Sequence, residues 1–181
     1  MSGHIASSSK VDWTTPANIV GIVRAFYDGA IAMDPCAGVV DLATFNIRLP
    51  VDGLEYPWID RVYCNPPFGT TYVKDTDVLT PKQWRAAGLP PGYRRQTLSQ
   101  WIDKADRFQG QSILLIPAAV DTKWWQGAIF QHAGGVCFIR GRVAFGGGAP
   151  GPAPMACALV YFGERERRFR DFFSPLGWCV R

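Results

Sequence analysis

The chain has 181 residues, 48% hydrophobic and 19% charged, which suits a single soluble domain over 1–181 with a sizeable core. No apolar run approaches the roughly 20 residues that span a bilayer. The N-terminal MSGHIASSSK lacks the apolar segment of a secretory signal, so a cytoplasmic protein without membrane contact is expected. The net charge of +4 is unevenly placed: residues 1–60 hold three basic side chains against seven acids, and residues 61–181 hold sixteen against eight. A basic half suits a polyanion such as nucleic acid, and equally an ordinary solvated surface.

Past a polar, serine-rich start at 1–11, a helix is expected over about 16–27. Thr15 is its N-cap, Pro16 takes the first helical position, and Ile19, Ile22, Val23 and Phe26 fall on one face. Asp28-Gly29 ends it. A short apolar strand at 30–33 runs into the turn-forming Asp34-Pro35-Cys36-Ala37-Gly38. A second short strand at about 45–49 precedes the loop Val51-Asp52-Gly53-Leu54, and a strand at 61–64 stops at Asn65-Pro66-Pro67-Phe68-Gly69. Residues 70–95 mix Thr, Lys, Asp, Pro, Gly and Arg without periodicity and read as a long loop or insertion.

An amphipathic helix at 96–108 carries Leu98, Trp101, Ile102, Ala105 and Phe108. Residues 112–116 form a continuous apolar run ending at Pro117, as a buried parallel strand would. A helix over 122–132 and strands at 136–139 and 155–162 follow. The glycine-rich stretch 146–154 lacks the Gly-Lys-Ser/Thr of a phosphate loop and reads as flexible. The tail at 164–170 is rich in arginine. Five cysteines, Cys36, Cys64, Cys137, Cys157 and Cys179, are odd in number, widely spaced and without a CxxC pair, which argues against a disulfide framework and structural zinc. The two histidines show no ligand spacing, so no metal is expected.

Helices alternating with short apolar strands imply an α/β sheet with helices on its faces. Ligands of such sheets bind beyond the carboxyl ends of the strands, which puts the loops 34–38 and 65–69 on one rim. In the second loop each proline fixes φ and lacks an N–H, so the chain leaves the sheet in a stiff, extended turn. The Asn65 amide oxygen and the Pro66 carbonyl can then converge in the cleft, two acceptors for the two hydrogens of an amino group. An exocyclic amine on a heteroaromatic ring is a weak nucleophile, and two aimed acceptors favour the positive charge that grows on it during alkylation. Phe68 offers a face to a planar substrate.

In their order along the chain these signatures resemble the N6-adenine DNA methyltransferases, above all the short phage-encoded Dam family, over about residues 12–162. The resemblance implies a Rossmann-like, S-adenosylmethionine-dependent methyltransferase fold with a mostly parallel sheet and flanking helices. It implies methyl transfer to N6 of an adenine in DNA, the base being flipped out of the duplex, in a bacterial host's cytoplasm. Asn65, Pro66, Pro67 and Phe68 match the catalytic motif. Asp12-Trp13-Thr14-Thr15-Pro16 is similar to the element that meets the methionine part of the cofactor, so Trp13, Thr15 and Pro16 are cofactor candidates. Asp34, Pro35, Cys36, Ala37 and Gly38 match the loop that wraps the cofactor. Asp52 and Leu54 match the acidic loop whose aspartate bonds the cofactor's adenine N6.

Two departures stand out. Gly38 is followed by Val39-Val40 instead of further glycines. The intervals from Asp34 to Asp52 and from Asp52 to Asn65, 18 and 13 residues, are tight for a complete crossover, so a trimmed sheet is expected, with Asp41 as candidate ribose-binding acid. The DNA contacts are expected among Arg94, Arg95, Lys123, Arg140 and Arg142, with Arg85 and the 165–170 arginines behind them. The Asn-Pro-Pro-aromatic motif also serves methylation of RNA bases, of cytosine N4 and of protein glutamine. An inactive nucleic-acid-binding module on the same fold is the remaining alternative.

Overall fold

The computed structural model describes residues 13–75, 77–79, 82, 92–147 and 151–181. The first helix, α1 (Ala17–Phe26), buries Ile19, Val20, Val23 and Phe26, with Ile22 packed at the margin of the same core. Its N-cap is Pro16, whose carbonyl accepts the Ile19 and Val20 N–H groups. The expected capping by Thr15 is not seen, because the Thr15 hydroxyl is hydrogen-bonded to the Tyr63 phenol at 2.8 Å. Asp28 and Gly29 take positive φ, and the Gly29 N–H returns to the Arg24 carbonyl, which closes the helix where the sequence predicts.

The strands are β1 (Met33–Asp34), β2 (Phe45–Asn46), β3 (Arg61–Cys64), β4 (Thr71–Lys74), β5 (Asp77–Leu79), β6 (Arg94–Gln96), β7 (Gln111–Pro117), β8 (Gly135–Ile139), β9 (Cys157–Phe162) and β10 (Gly177–Val180). Helix α2 (Leu98–Arg107) precedes β7. After β7 come a π-helical turn (Trp125–Ile129), a short α3 (Phe130–His132), and later α4 (Glu166–Phe173). Seven strands form one sheet in the order β10-β8-β9-β7-β3-β1-β2. The pairs β2–β1, β1–β3 and β3–β7 are parallel, whereas β7–β9, β9–β8 and β8–β10 are antiparallel.

The sheet is therefore mixed, with the expected parallel arrangement in β2, β1, β3 and β7 and antiparallel pairing beyond β7. Five strands (β1, β2, β3, β7 and β8) share a direction, and β9 and β10 run against them. The reason lies in the 140–156 connection. Its described residues form no crossover helix, so β9 can fold back beside β8 only antiparallel. The tight spacing before Asn65 is also visible, since β1, β2 and β3 succeed one another with no helix between them.

Strand β7 is buried on both faces, and its alternation divides the core. Ile113 and Leu115 face α1 and α4, together with Tyr63, Leu159, Tyr161, Phe169 and Phe173. Leu114 and Ile116 face α2 and the π-helical turn, together with Trp101, Ile102, Trp125 and Ile129. A capping box starts α2, with the Gln100 side-chain oxygen accepting the Thr97 N–H at 2.8 Å.

The small sheet, α4 and β10 (Gly177–Val180) lie outside the sequence reading. The 70–95 segment is no plain loop: β4 pairs antiparallel with both β5 and β6 as a small sheet. Among the described residues of this small sheet only Val73 and Gln96 are buried, so no hydrophobic period marks it. The arginine-rich tail is also structured. Phe169, Phe172 and Phe173 lie on one side of α4, where Phe169 stacks on Tyr161 at 5.4 Å and on Phe173 at 4.4 Å, with Phe26 edge-on. The Phe169→Ala variant should lose about 3–5 kcal/mol of stability, read by urea unfolding; a loss under 1 kcal/mol would show that α4 is peripheral to the core.

Candidate active site

The strand order reverses at β1, where the chain first steps outward to β2 and then returns to β3 on the other side. At such a switch point the loops beyond the carboxyl ends part and leave a crevice. Asp34 closes β1 on this rim and Asn65 follows β3 on it. Because β7 and β8 run in the same direction, Lys123 after β7, and Arg140 and Arg142 after β8, belong to the same rim.

The Asn65 amide is oriented by the segment before α1. Its Nδ2 donates to the Trp13 carbonyl at 2.8 Å, so the Oδ1 branch points away as an acceptor without a partner among the described residues. The Thr15–Tyr63 bond anchors the same segment to the strand that carries Asn65. Pro66 is buried, and Pro67 and Phe68 are half-buried. The Phe68 ring lies 6.3 Å from Trp13 and 5.9 Å from Phe145, which in turn approaches Trp13 at 5.1 Å. Phe145 arrives from the loop after β8, held by the Gly146 N–H on the Thr14 carbonyl. Nothing in its local sequence marks it as a neighbour of Phe68.

Two buried carboxyls flank the crevice. Asp34 is 3% exposed, and its Oδ1 accepts the Cys36 N–H at 3.0 Å. Burial pushes its pKa up to about 7, against the opposing pull of the Cys36 N–H and the Arg48 charge. Pro35 is buried, Cys36 and Ala37 are half-buried, and Gly38 is exposed. Asp41 is exposed and ion-paired with Arg48, whose Nε also reaches the Gly38 carbonyl. The Cys64 thiol beneath this turn is held well above its ordinary range by burial and by the adjoining Cys36.

The Asp52 loop is pressed onto the turn after β1. A Cβ added at Gly53 would stand 1.7 Å from the Pro35 carbonyl oxygen, so only glycine lets the two backbones approach. The Leu54 N–H donates to Asp52 Oδ1, and the Leu54 carbonyl accepts Lys104 Nζ at 2.6 Å. The Asp52 loop is thus set against the turn that follows Asp34. The further partners of Asp52, Gln96 and Arg94, come from β6.

The expected DNA contacts separate into groups. Arg95, Lys123, Arg140 and Arg142 are exposed and have no ion pair among the described residues. Arg94 is engaged with Asp52 at 3.3 Å and Glu55 at 3.8 Å. Arg165 and Arg168 pair with Asp28 and tie α4 to the end of α1, on the rim opposite the crevice. Arg85 and Asp12 fall outside the described residues, as do residues 148–150 of the glycine-rich stretch. The cysteines are free, and no group of three metal-ligating side chains occurs among the described residues. No helix is long and apolar enough to cross a membrane among the residues described.

Sheet and rim together define an α/β protein with a topological switch point, at whose rim stand the Asn65 amide and the Asp34 and Asp52 carboxyls. The chain belongs to the DNA N-6-adenine-methyltransferase (Dam) family, whose model matches residues 2–162. No curated protein and no solved structure matches it.

The Asp34 carboxyl makes stability depend on pH. It ionises near its ordinary 3.8 in the unfolded chain and only near 7 in the fold, so between these values the folded state holds a proton that the unfolded state has released. Its contribution is complete below about pH 4 and declines as pH rises to about 7. The Asp34→Asn variant keeps the acceptor for Cys36 and should be more stable than wild type at pH 8, without that decline. Parallel urea titrations from pH 4 to 8 check this, and superimposable pH profiles would refute it.

Proposed function

We propose that this chain transfers a methyl group from S-adenosylmethionine to N6 of adenine in DNA. The observation that carries the reading is the oriented Asn65 amide: with Nδ2 committed to Trp13, Oδ1 is left as its acceptor, next along the chain to the Pro66 carbonyl. Two acceptors at the end of one strand would draw both hydrogens of an incoming amino group and favour its pyramidal, electron-rich geometry. They would also fix its position against the methyl donor, which supplies much of the remaining acceleration. No strong base is needed to begin, because the proton becomes acidic only as positive charge builds on nitrogen.

When bound, S-adenosylmethionine supplies an electrophilic methyl group on a sulfonium centre. The residues present fit such a cationic, amine-bearing molecule: Asp34 is a buried carboxyl that a nearby cation would ionise, and Asp52 is a buried acceptor on the loop packed against the turn after Asp34. Trp13, Thr15 and Pro16, the turn 34–38, and Asp52 with Leu54 would hold it. Phe68, braced by Trp13 and Phe145, would stack on the flipped base. Arg95, Lys123, Arg140 and Arg142 would meet the phosphates, since their charges are not neutralised within the described residues.

Asn65→Ala should lower turnover roughly 100-fold or more, by analogy with loss of one oxyanion-hole donor, and leave cofactor binding nearly unchanged. The assay is incubation with S-adenosylmethionine and unmethylated DNA, digestion to nucleosides, and mass spectrometry for N6-methyldeoxyadenosine. Full activity in the variant would remove the role assigned to Asn65. Cofactor binding without a methylated DNA base would redirect the search to RNA and protein substrates, and absence of both would favour a binding module. Arg142→Ala should weaken DNA binding evenly across sequences and reduce the slope of log K against log salt by about 1. An unchanged slope would take Arg142 out of the interface.

A further inference from the structure

Asp52 holds a carboxylate whose side chain is 5% exposed, and a buried charge is tolerated only where donors surround it. Oδ1 accepts two N–H groups, from the Leu54 backbone at 2.9 Å and from Gln96 Nε2 at 2.8 Å. Oδ2 faces the Arg94 guanidinium at 3.3 Å. The two β6 residues differ in kind. Gln96 is 6% exposed, and its backbone pairs with Thr71 of β4. The Arg94 side chain is 46% exposed and has a second carboxylate, Glu55, at 3.8 Å. One partner is fixed by the fold, and the other has somewhere else to go.

We propose that Gln96 is a positioning residue for the cofactor site, fixing the Asp52 carboxylate so that Oδ2 is offered, while Arg94 is the partner that a cofactor amino group displaces. The inference rests on the reading of Asp52 as a cofactor contact and extends it to residues that match no motif of the family resemblance. With Oδ1 saturated by a backbone N–H and a buried amide, Oδ2 is the oxygen that can change partners. Arg94 occupies it in the free protein and swings toward Glu55 or solvent when it is taken. Because β6 is laddered to β4, which begins three residues after Phe68, the same strand links the Asp52 loop to the segment leaving the catalytic motif. Burial of the amide gives the Gln96 bond its weight, since a hydrogen bond to a charged group in such surroundings is stronger than one at the surface.

The test is calorimetric titration of S-adenosylmethionine into the full chain, with thermal melts to establish that each variant folds. Gln96→Met, close in shape and without the donor, should weaken binding about tenfold or more. Asp52→Asn should weaken it too, and Gln96→Met added to Asp52→Asn should weaken it no further, because Gln96 acts through that carboxylate. A general packing role would instead add its effect in both backgrounds. Arg94→Ala, at a half-exposed position, should tighten binding about two- to fivefold by removing the competitor. Equal affinity of Gln96→Met and wild type, additive losses in the double variant, or weaker binding by Arg94→Ala would each overturn the proposal while the proposed function stands. Failure of the wild-type chain to bind S-adenosylmethionine would remove both.

Discussion

Burial of the central strands on both faces is the constraint from which the rest follows. Ile113 and Leu115 of β7 lie under α1 and α4, and Leu114 and Ile116 lie under α2 and the π-helical turn. A one-residue slip would exchange the two sets and misfit both layers. Its register with β3 is therefore fixed, with Tyr63 beside Ile113 and Cys64 beside Leu114. Where β3 ends is then also fixed, and two prolines forbid the ladder to continue past it. The position of Asn65 follows from core packing, and its orientation follows from the Trp13 carbonyl.

Charge is sorted by rim. Beyond the carboxyl ends of the parallel strands lie two buried carboxyls and a set of exposed cations without ion pairs among the described residues. On the opposite rim, Arg165 and Arg168 are paired with Asp28, and Arg168 also lies over the Phe172 ring. A paired arginine at the surface contributes modestly to stability and has little field left for a polyanion. The chain's basic half is thus two populations, one that holds α4 in place and one left facing solvent around the crevice.

The antiparallel half of the sheet does a different job from the parallel half. β9 covers the far side of β7 and delivers Tyr161 to the aromatic cluster of Phe26, Phe169 and Phe173. The loop between β8 and β9 returns across the rim and sets Phe145 against Trp13 and Phe68. The aromatic wall beside Asn65 is built from three segments distant in sequence: Trp13 leads into α1, Phe68 leaves β3 and Phe145 leaves β8.

Much was legible locally. The Asn65-Pro66-Pro67-Phe68 turn, the apolar run of β7, the face of α1 and the period of α2 depend on φ restriction, side-chain alternation and helical spacing, which act within a few residues. The order of the motifs was enough to imply the family. Charge composition misled at the tail, where the arginines of α4 obscured its Phe169–Phe172–Phe173 face, and the sparse burial of the small sheet gave no period to read. Thr15 had the chemistry of a cap, yet a buried phenol 48 residues away took its hydroxyl. By itself, the sequence determined which groups stand ready at the strand ends. Tertiary structure alone decided which are already bound: Arg94 to Asp52, Arg165 and Arg168 to Asp28, and the Asn65 amide to Trp13. Partner choice depends on distances across the fold, and no local pattern encodes them.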